Sequence, residues 1–396
     1  MTDHLRLPAA ATPMTGDEFV ARCSAMAPLL AEHAAVGEEL RRVPAATIDA
    51  VAAADLFRSV VPTSMGGHGL GLAALSQGTR ELAHGCAASA WTLSFLMLHG
   101  WLLAKFPTDG RDEVFAAGPT PMAPAPLAPT GTATAVSGGL IVSGRWEWAT
   151  GIAHADWVMV NAVQTEPEFE LWFAALPRDE VEVDDVWFTS GMRATGSNTV
   201  VVRDRFVPDH RLLRARSLLD STDAIDGDGM AGLPVPAVLG LSASAVALGA
   251  AEAAVDMYRE RLATRVLAYT LGDRAAEQPA AQVRLATATS DLAAARHHWE
   301  ASIAAVEDGG ATGAVTEALR VSARLAAAAT VRSARRIVSD VCDGAGASVY
   351  FSSHPLQRLQ RDVETLKGHV MFDWDRTAEL AGRHALGFGL RPTDMV

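Results

Sequence analysis

Four short stretches of this 396-residue chain carry side chains able to move protons or hold a polar ligand. Residues 354–373, HPLQRLQRDVETLKGHVMFD, read as one helix that puts Arg358, Asp362, Thr365, His369 and Asp373 on a single stripe, because residues three and four apart share a face. Leu359, Val363 and Leu366 supply its packing. A stripe that mixes an ion pair, a hydroxyl and a histidine is either a buried polar network or the wall of a site, and histidine suits proton transfer near neutral pH. Residues 144–158, GRWEWATGIAHADWV, place Trp146 and Trp148 just before Thr150-Gly151 at a strand end. A planar apolar wall beside a hydroxyl and a pliant backbone fits a flat heteroaromatic ligand; a Trp-rich barrel corner is the plainer alternative. Residues 191–208, GMRATGSNTVVVRDRFVP, offer Arg193, Thr195 and Ser197 as donors to an anion, although the glycine spacing is not that of a phosphate loop between strand and helix. His99 lies in an apolar helix, where a satisfied core histidine is the ordinary reading.

The elements that must position these groups fall into three blocks. Residues from about 15 to 107 are helical in pattern, with Gly16-Asp17 opening a helix through Glu39 and Pro44 near the first turn of the next. The run FRSVVPTSMGGHGLG breaks that pattern, and its four glycines allow close approach to a ligand. Two more helices follow, Leu72 to His84 and Ala87 to Phe106. After a Pro-rich run at 119–133, β-branched alternation predicts strands at 133–136, 139–147, 157–164, 170–177, 181–187 and 198–208, enough for a compact barrel or sandwich. Residues 214–232, with Asp220, Asp223, Asp226 and Asp228, read as an acidic exposed loop. Three long Ala-rich segments, about 236–271, 278–308 and 312–342, have the periodicity of an antiparallel bundle. The expected architecture is α+β and multidomain: an N-terminal helical domain at 1–117, a central β domain at 118–213, an acidic linker at 214–233 and a C-terminal four-helix bundle at 234–396.

Composition narrows the function classes. A hydrophobic share of 49% with 20% charged residues describes a globular protein with much buried helix. The net charge of −13 argues against nucleic acid, whose phosphates need clustered Lys and Arg. Cys23, Cys86 and Cys342 are widely spaced without a CxxC pattern, so they read as reduced thiols in a cytoplasmic protein, and no metal site is expected. The start, MTDHLRLPAAATPMTGDEF, lacks the basic opening and apolar run of a signal peptide. Cys86–Ala104 and Leu233–Ala251 are free of charge but rich in small and polar residues, which suits helices buried inside a bundle better than membrane spans.

Taken in order, the FRSVVPTSMGGHGLG loop, the AWTLSFLMLHGWLLAKFP helix, the WEWATG strand end, the MRATGS turn and the QRLQRD…H segment resemble the oxygenase component of two-component flavin-dependent monooxygenases. This group includes 4-hydroxyphenylacetate hydroxylase and dibenzothiophene monooxygenase and has the acyl-CoA dehydrogenase fold. The resemblance covers nearly the whole chain. It implies that Thr150 stands beside flavin N5, with Trp148 and Gly151 around it, that His99 lies near flavin or substrate, and that His369 contacts substrate or assists proton transfer. It further implies that Arg193, Thr195 and Ser197 contact flavin, with Arg265 as the candidate partner of the flavin phosphate, serving this subunit or a neighbouring one.

The same resemblance implies reduced FMN or FADH2 delivered by a separate NAD(P)H-dependent flavin reductase, O2 as co-substrate, a C4a-(hydro)peroxyflavin as the oxygenating species, and a homotetramer. No dinucleotide-binding GxGxxG unit follows a strand here, consistent with a separate reductase. In acyl-CoA dehydrogenases the RD pair is followed by a segment of the form IYEGT, whose Glu is often the base. Counting from Arg361-Asp362, that position holds Val370, with His369 just before it. The chain therefore reads as a hydroxylase of a small aromatic or polyketide-type molecule. The alternatives are a flavoenzyme oxidising an acyl thioester and a non-catalytic helical interaction protein.

Overall fold

The computed structural model describes residues 13–220, 225–391 and 393–396; Asp223 and most of the N-terminal stretch scanned for a signal peptide lie outside them. The N-terminal block holds α1 (Gly16–Leu40), α2 (Ala45–Ala53), α3 (Leu72–Gly85), α4 (Ala87–Leu103) and α5 (Thr108–Val114). Thr15 and Glu18 close a reciprocal capping box at the start of α1, which satisfies two amides that the first turn leaves without helical partners. Sixteen of the seventeen residues of α4 are buried, so this helix is surrounded on all sides and every residue it carries faces a neighbour.

The central block is one seven-stranded sheet in the order β5-β6-β2-β1-β3-β4-β7. Its strands are β1 (Gly131–Val136), β2 (Gly139–Ala149), β3 (Trp157–Gln164), β4 (Glu170–Pro177), β5 (Glu182–Asp184), β6 (Asn198–Pro208) and β7 (Leu212–Arg214). All pairs are antiparallel except β1 with β3. The expected strand at 181–187 shrinks to three residues, because the amides of Val186 and Trp187 turn to the Asn198 side chain instead of a ladder partner. The sheet has an apolar core of its own around Val142, Trp146, Val160 and Val200.

The acidic stretch differs from expectation. Its first residues form a short helix, α6 (Ala215–Asp220), and the side chain of Asp228 is fully buried, accepting from Trp101 Nε1 at 3.0 Å. A carboxylate taken out of water needs such partners, and the indole, the Met230 amide and Lys105 supply them. The C-terminal block packs α7 (Val235–Thr264), α8 (Pro279–Thr312) and α9 (Glu317–Ala345) with the shorter α10 (Pro355–Leu366) and α11 (Trp374–Ala385). Helix α7 stops at Thr264, short of 271, and the chain then pairs Val266 with Arg274 across a loop. It is long and apolar enough to cross a membrane, but 89% of its most apolar window is buried in the bundle. All three cysteines are free and buried.

The single long helix expected over 354–373 is two helices and a turn. Helix α10 ends at Leu366, and His369 adopts an extended backbone whose side chain caps a 3-10 turn at Val370–Phe372. Asp373 in turn caps α11 by accepting from Arg376 N. A polar side chain that can satisfy free amides at a new start competes with continuing the helix.

Candidate active site

Helix α4 is the axis of the site. Trp91, Phe95 and His99 are spaced four apart and form one stripe, while Thr92 and Leu96 form the adjacent one. The ring of His369 lies 5.3 Å from Trp91, edge to face, and 5.4 Å from Phe372. Phe95 bridges Trp91 at 4.6 Å and His99 at 5.2 Å. The two histidines therefore bracket one aromatic wall, although 270 residues separate them in sequence.

Their hydrogen bonds give them opposite character. His99 Nδ1–H donates to the Ala123 carbonyl at 2.7 Å, which leaves Nε2 with a lone pair. His369 Nδ1 accepts from the Met371 amide at 3.3 Å, so its proton is on Nε2. Burial pushes the pKa of His99 down to about 4, partly opposed by its bond to Ala123. Desolvation, helped by the nearby Arg324 charge, takes His369 to about 4 as well, although part of this residue stays open to solvent. Both rings are neutral at pH 7: one an acceptor, the other a donor. Arg324, itself buried, donates to the Val370 carbonyl at 3.2 Å and to the Met395 carbonyl at 2.7 Å, tying the turn behind His369 to the C-terminal segment.

Against the adjacent stripe of α4, at Thr92 and Leu96, stands the end of β2. Trp148 has a left-handed backbone, φ 65°, and is 59% exposed, an uncommon state for a bulky aromatic residue. Gly151, with φ 76°, packs so closely that a Cβ there would lie 3.0 Å from Thr92 Cγ2. The Gly151 amide donates to the Thr195 carbonyl at 3.0 Å, joining this corner to the 3-10 turn at Arg193–Thr195. Across that seam Thr150 and Ser197 hydroxyls are 2.8 Å apart, and Ser197 and Thr195 hydroxyls 2.7 Å. Arg193 Nε is buried without a partner among the described residues. An exposed indole face, a hydroxyl cluster and an orphaned guanidinium N–H suit a flat heteroaromatic group with polar edges.

Helix α10 holds this turn in place. Arg361 donates to the Ser190 carbonyl, Gly191 leaves no room for a Cβ against the Arg361 carbonyl, and Asp362 accepts from the Met192 amide at 2.5 Å. Burial pushes the Asp362 carboxyl up to about 7 against the pull of the Met192 bond and of Arg361. The expected Arg358–Asp362 pair does not form. Arg358 and Arg361 both pair with Glu38 on α1, which frees Asp362 for the backbone. Asp373, the last residue of the expected stripe, caps α11.

Of the residues singled out from sequence, the fold gathers His99 and His369 on one wall, and Trp148, Thr150, Gly151, Arg193, Thr195 and Ser197 on one seam. Arg265 is elsewhere, at the C-terminal end of α7, where it donates to the Ala345 carbonyl at 2.5 Å beside Arg261. Among the described residues no carboxylate pairs with either arginine. Sequence reasoning passed over Trp91, Phe95 and Trp187 as parts of the site, and gave Asp362 to an ion pair with Arg358 instead of to the Met192 amide. The four-residue spacing of Trp91, Phe95 and His99 was a visible signal for the first two; nothing local marked the contacts made by the others.

Residues 19–114 match the acyl-CoA dehydrogenase N-terminal domain and residues 241–374 the acyl-CoA dehydrogenase C-terminal domain. The chain is 32% identical to the flavin-dependent monooxygenase, oxygenase subunit HsaA, of Mycobacterium tuberculosis, over 93% of this chain and 94% of that one. The crystal structure of 3-HSA hydroxylase from Rhodococcus sp. RHA1 superposes with a TM-score of 0.89 at 30% identity, covering 96% of this chain and 99% of that one. XiaF from Streptomyces sp., solved in complex with FADH2 and glycerol, gives 0.89 at 29% identity over 96% and 97%. With its sheet and its bundle arranged on this plan, and with this identity over nearly its whole length, the chain belongs to the oxygenase components of the two-component flavin-dependent monooxygenases, built on the acyl-CoA dehydrogenase fold.

Proposed function

We propose that this oxygenase hydroxylates a small aromatic molecule on the wall formed by Trp91, Phe95, His99, His369 and Phe372. The observation that carries the reading is the pair of neutral histidines with opposite hydrogen-bonding sense at the two ends of one aromatic stripe. Such a wall takes a planar ring by stacking and edge contacts. His99 Nε2 is the acceptor for a phenolic or similar proton, and its low pKa keeps the lone pair available at neutral pH. His369 Nε2–H is a donor toward an oxygen on the opposite side. Reduced flavin supplied by a separate reductase brings the electrons for O2 activation, one oxygen atom entering the product and the other leaving as water.

The seam at Thr150, Gly151, Trp148, Arg193, Thr195 and Ser197 is the binding place for the flavin ring, with Thr150 beside N5. Arg265, with Arg261 next to it, takes the flavin phosphate, either in this subunit or across an interface of a homotetramer. Two guanidinium groups without carboxylate partners are a suitable anion site. The Ala-rich exposed face of α8 is the natural place for such an interface. Cytoplasmic placement agrees with three reduced thiols and with dependence on a soluble reductase.

The test is turnover. Reduced FMN or FADH2 is mixed anaerobically with protein and a panel of phenols, then exposed to isotopically labelled O2. Incorporation of one labelled atom into a catechol-type product is expected. Release of all consumed O2 as hydrogen peroxide with every phenol, together with oxidation of an acyl thioester by the flavin-loaded protein, would overturn the reading.

A further inference from the structure

The hydroxyls of Thr150, Ser197 and Thr195 have a direction as well as positions. Thr195 Oγ1 donates to the Met192 carbonyl at 2.9 Å, which uses its only proton. Thr195 can then only accept from Ser197, 2.7 Å away, so the Ser197 proton is committed too. Ser197 in turn can only accept from Thr150 at 2.8 Å. All three bonds coexist with one polarity: Thr150 to Ser197 to Thr195 to the Met192 carbonyl. The residues are 8%, 4% and 2% exposed, so water has little access to offer other partners.

The terminus of the chain is held from several sides. The Met192 carbonyl also accepts from Trp187 Nε1 at 3.1 Å, and the Met192 amide is bound to Asp362. Both residues flanking the turn, Met192 at φ 53° and Gly196 at φ 52°, take left-handed backbones, so the carbonyl cannot swing away without rebuilding the turn. The Thr150 proton therefore points into the protein, and the lone pair left on Thr150 is what its hydroxyl offers to a ligand.

We propose that this wired hydroxyl chain makes Thr150 an obligate hydrogen-bond acceptor and thereby selects reduced over oxidised flavin. The inference rests on the proposed placement of Thr150 beside flavin N5. In reduced flavin N5 carries a hydrogen and is a donor, which Thr150 accepts. In oxidised flavin N5 is itself an acceptor, and two lone pairs face each other in a site with little water. A matched against a mismatched buried hydrogen bond is a difference of about tenfold to a hundredfold in affinity. Besides lining the seam, Ser197 and Thr195 are positioning residues: they bias the choice between the two flavin oxidation states by fixing the direction of the Thr150 hydroxyl.

The experiment measures dissociation constants of oxidised FMN and of anaerobically photoreduced FMN, repeated with FAD, for the full-length protein and three variants. Thr195→Val and Ser197→Ala each release the Thr150 proton to rotate toward the ligand. The ratio of oxidised to reduced dissociation constants is expected to fall about tenfold in both, mainly through tighter binding of the oxidised form. Tenfold corresponds to about 30 mV in the two-electron midpoint potential of bound flavin. Thr195→Ser keeps the hydroxyl and is expected to keep the wild-type ratio. A ratio unchanged in Thr195→Val and Ser197→Ala, or both constants weakening equally, overturns the proposal while leaving flavin binding intact. Failure of the wild-type protein to bind either form removes the flavin reading itself, and the proposal with it.

Discussion

Replacing His99 by Asn isolates the cost of keeping this histidine neutral inside the protein. Asn Nδ2 can still donate to the Ala123 carbonyl, so the hydrogen bond survives while the titrating group is gone. In the folded protein burial lowers His99 from the ordinary 6.5 to about 4. A depressed histidine binds its proton more weakly when folded than when unfolded. Its contribution to stability is therefore complete above about pH 6.5 and is lost as pH falls toward 4. A displacement of roughly 2.5 units is worth about 3 kcal/mol, of which about 2 is gone by pH 5. Denaturant unfolding of wild type and His99→Asn at one protein concentration, at about pH 7.5 and about pH 5, gives the comparison, fixed concentration being essential for an assembling protein. The variant starts lower, since the smaller side chain leaves a gap in the packed helix α4. Its further loss on acidification should be smaller than that of wild type by about 2 kcal/mol. Equal losses would mean that His99 titrates in the folded protein as it does in the unfolded chain, and the burial-driven depression of its pKa would be refuted.

Asp362 gives the opposite slope. Its carboxyl is raised to about 7 by burial, so the folded state binds the proton more tightly than the unfolded one, and this group favours the fold increasingly as pH drops from about 7 to about 4. Asp362→Asn keeps an acceptor for the Met192 amide and should gain a few kcal/mol over wild type near pH 8, a gain that vanishes near pH 4; a pH-independent difference would refute the buried, proton-binding carboxyl. Arg265→Ala should weaken FMN binding about tenfold or more while leaving riboflavin, which lacks the phosphate, unaffected, as measured by fluorescence titration of the reduced forms. An equal loss for both ligands would place Arg265 in the packing of the α7–α9 turn instead of on the phosphate.

Much of this protein is legible along the chain because it depends on local periodicity. The helical, β and helical blocks, five of the strands and the buried nature of the two uncharged helices follow from apolar spacing and β-branched runs. The segment at 354–373 shows the limit. Its i, i+4 pattern continues past Leu366, yet His369 and Asp373 each cap a new start, and capping is a choice between a helix and its competitors that tertiary contacts settle. The acidic stretch shows another, since the partners that let Asp228 be buried, Trp101 and Lys105, lie over 120 residues away.

The sequence by itself determined which residue types were available: two histidines, a Trp-Ala-Thr-Gly strand end and a turn rich in hydroxyls, in an order shared with a known family. Only the tertiary structure decided what they are. Hydrogen-bond partners set the tautomers: the Ala123 carbonyl, on a separate segment, makes His99 an acceptor, while the Met371 amide of its own turn makes His369 a donor. Arg358 and Arg361 turn to Glu38, which leaves Asp362 to hold the Met192 amide, and through that turn the direction of three hydroxyl protons is fixed. Spacing along a chain can bring donors and acceptors near one another, but which of them gives the proton depends on the whole set of partners that folding closes around them.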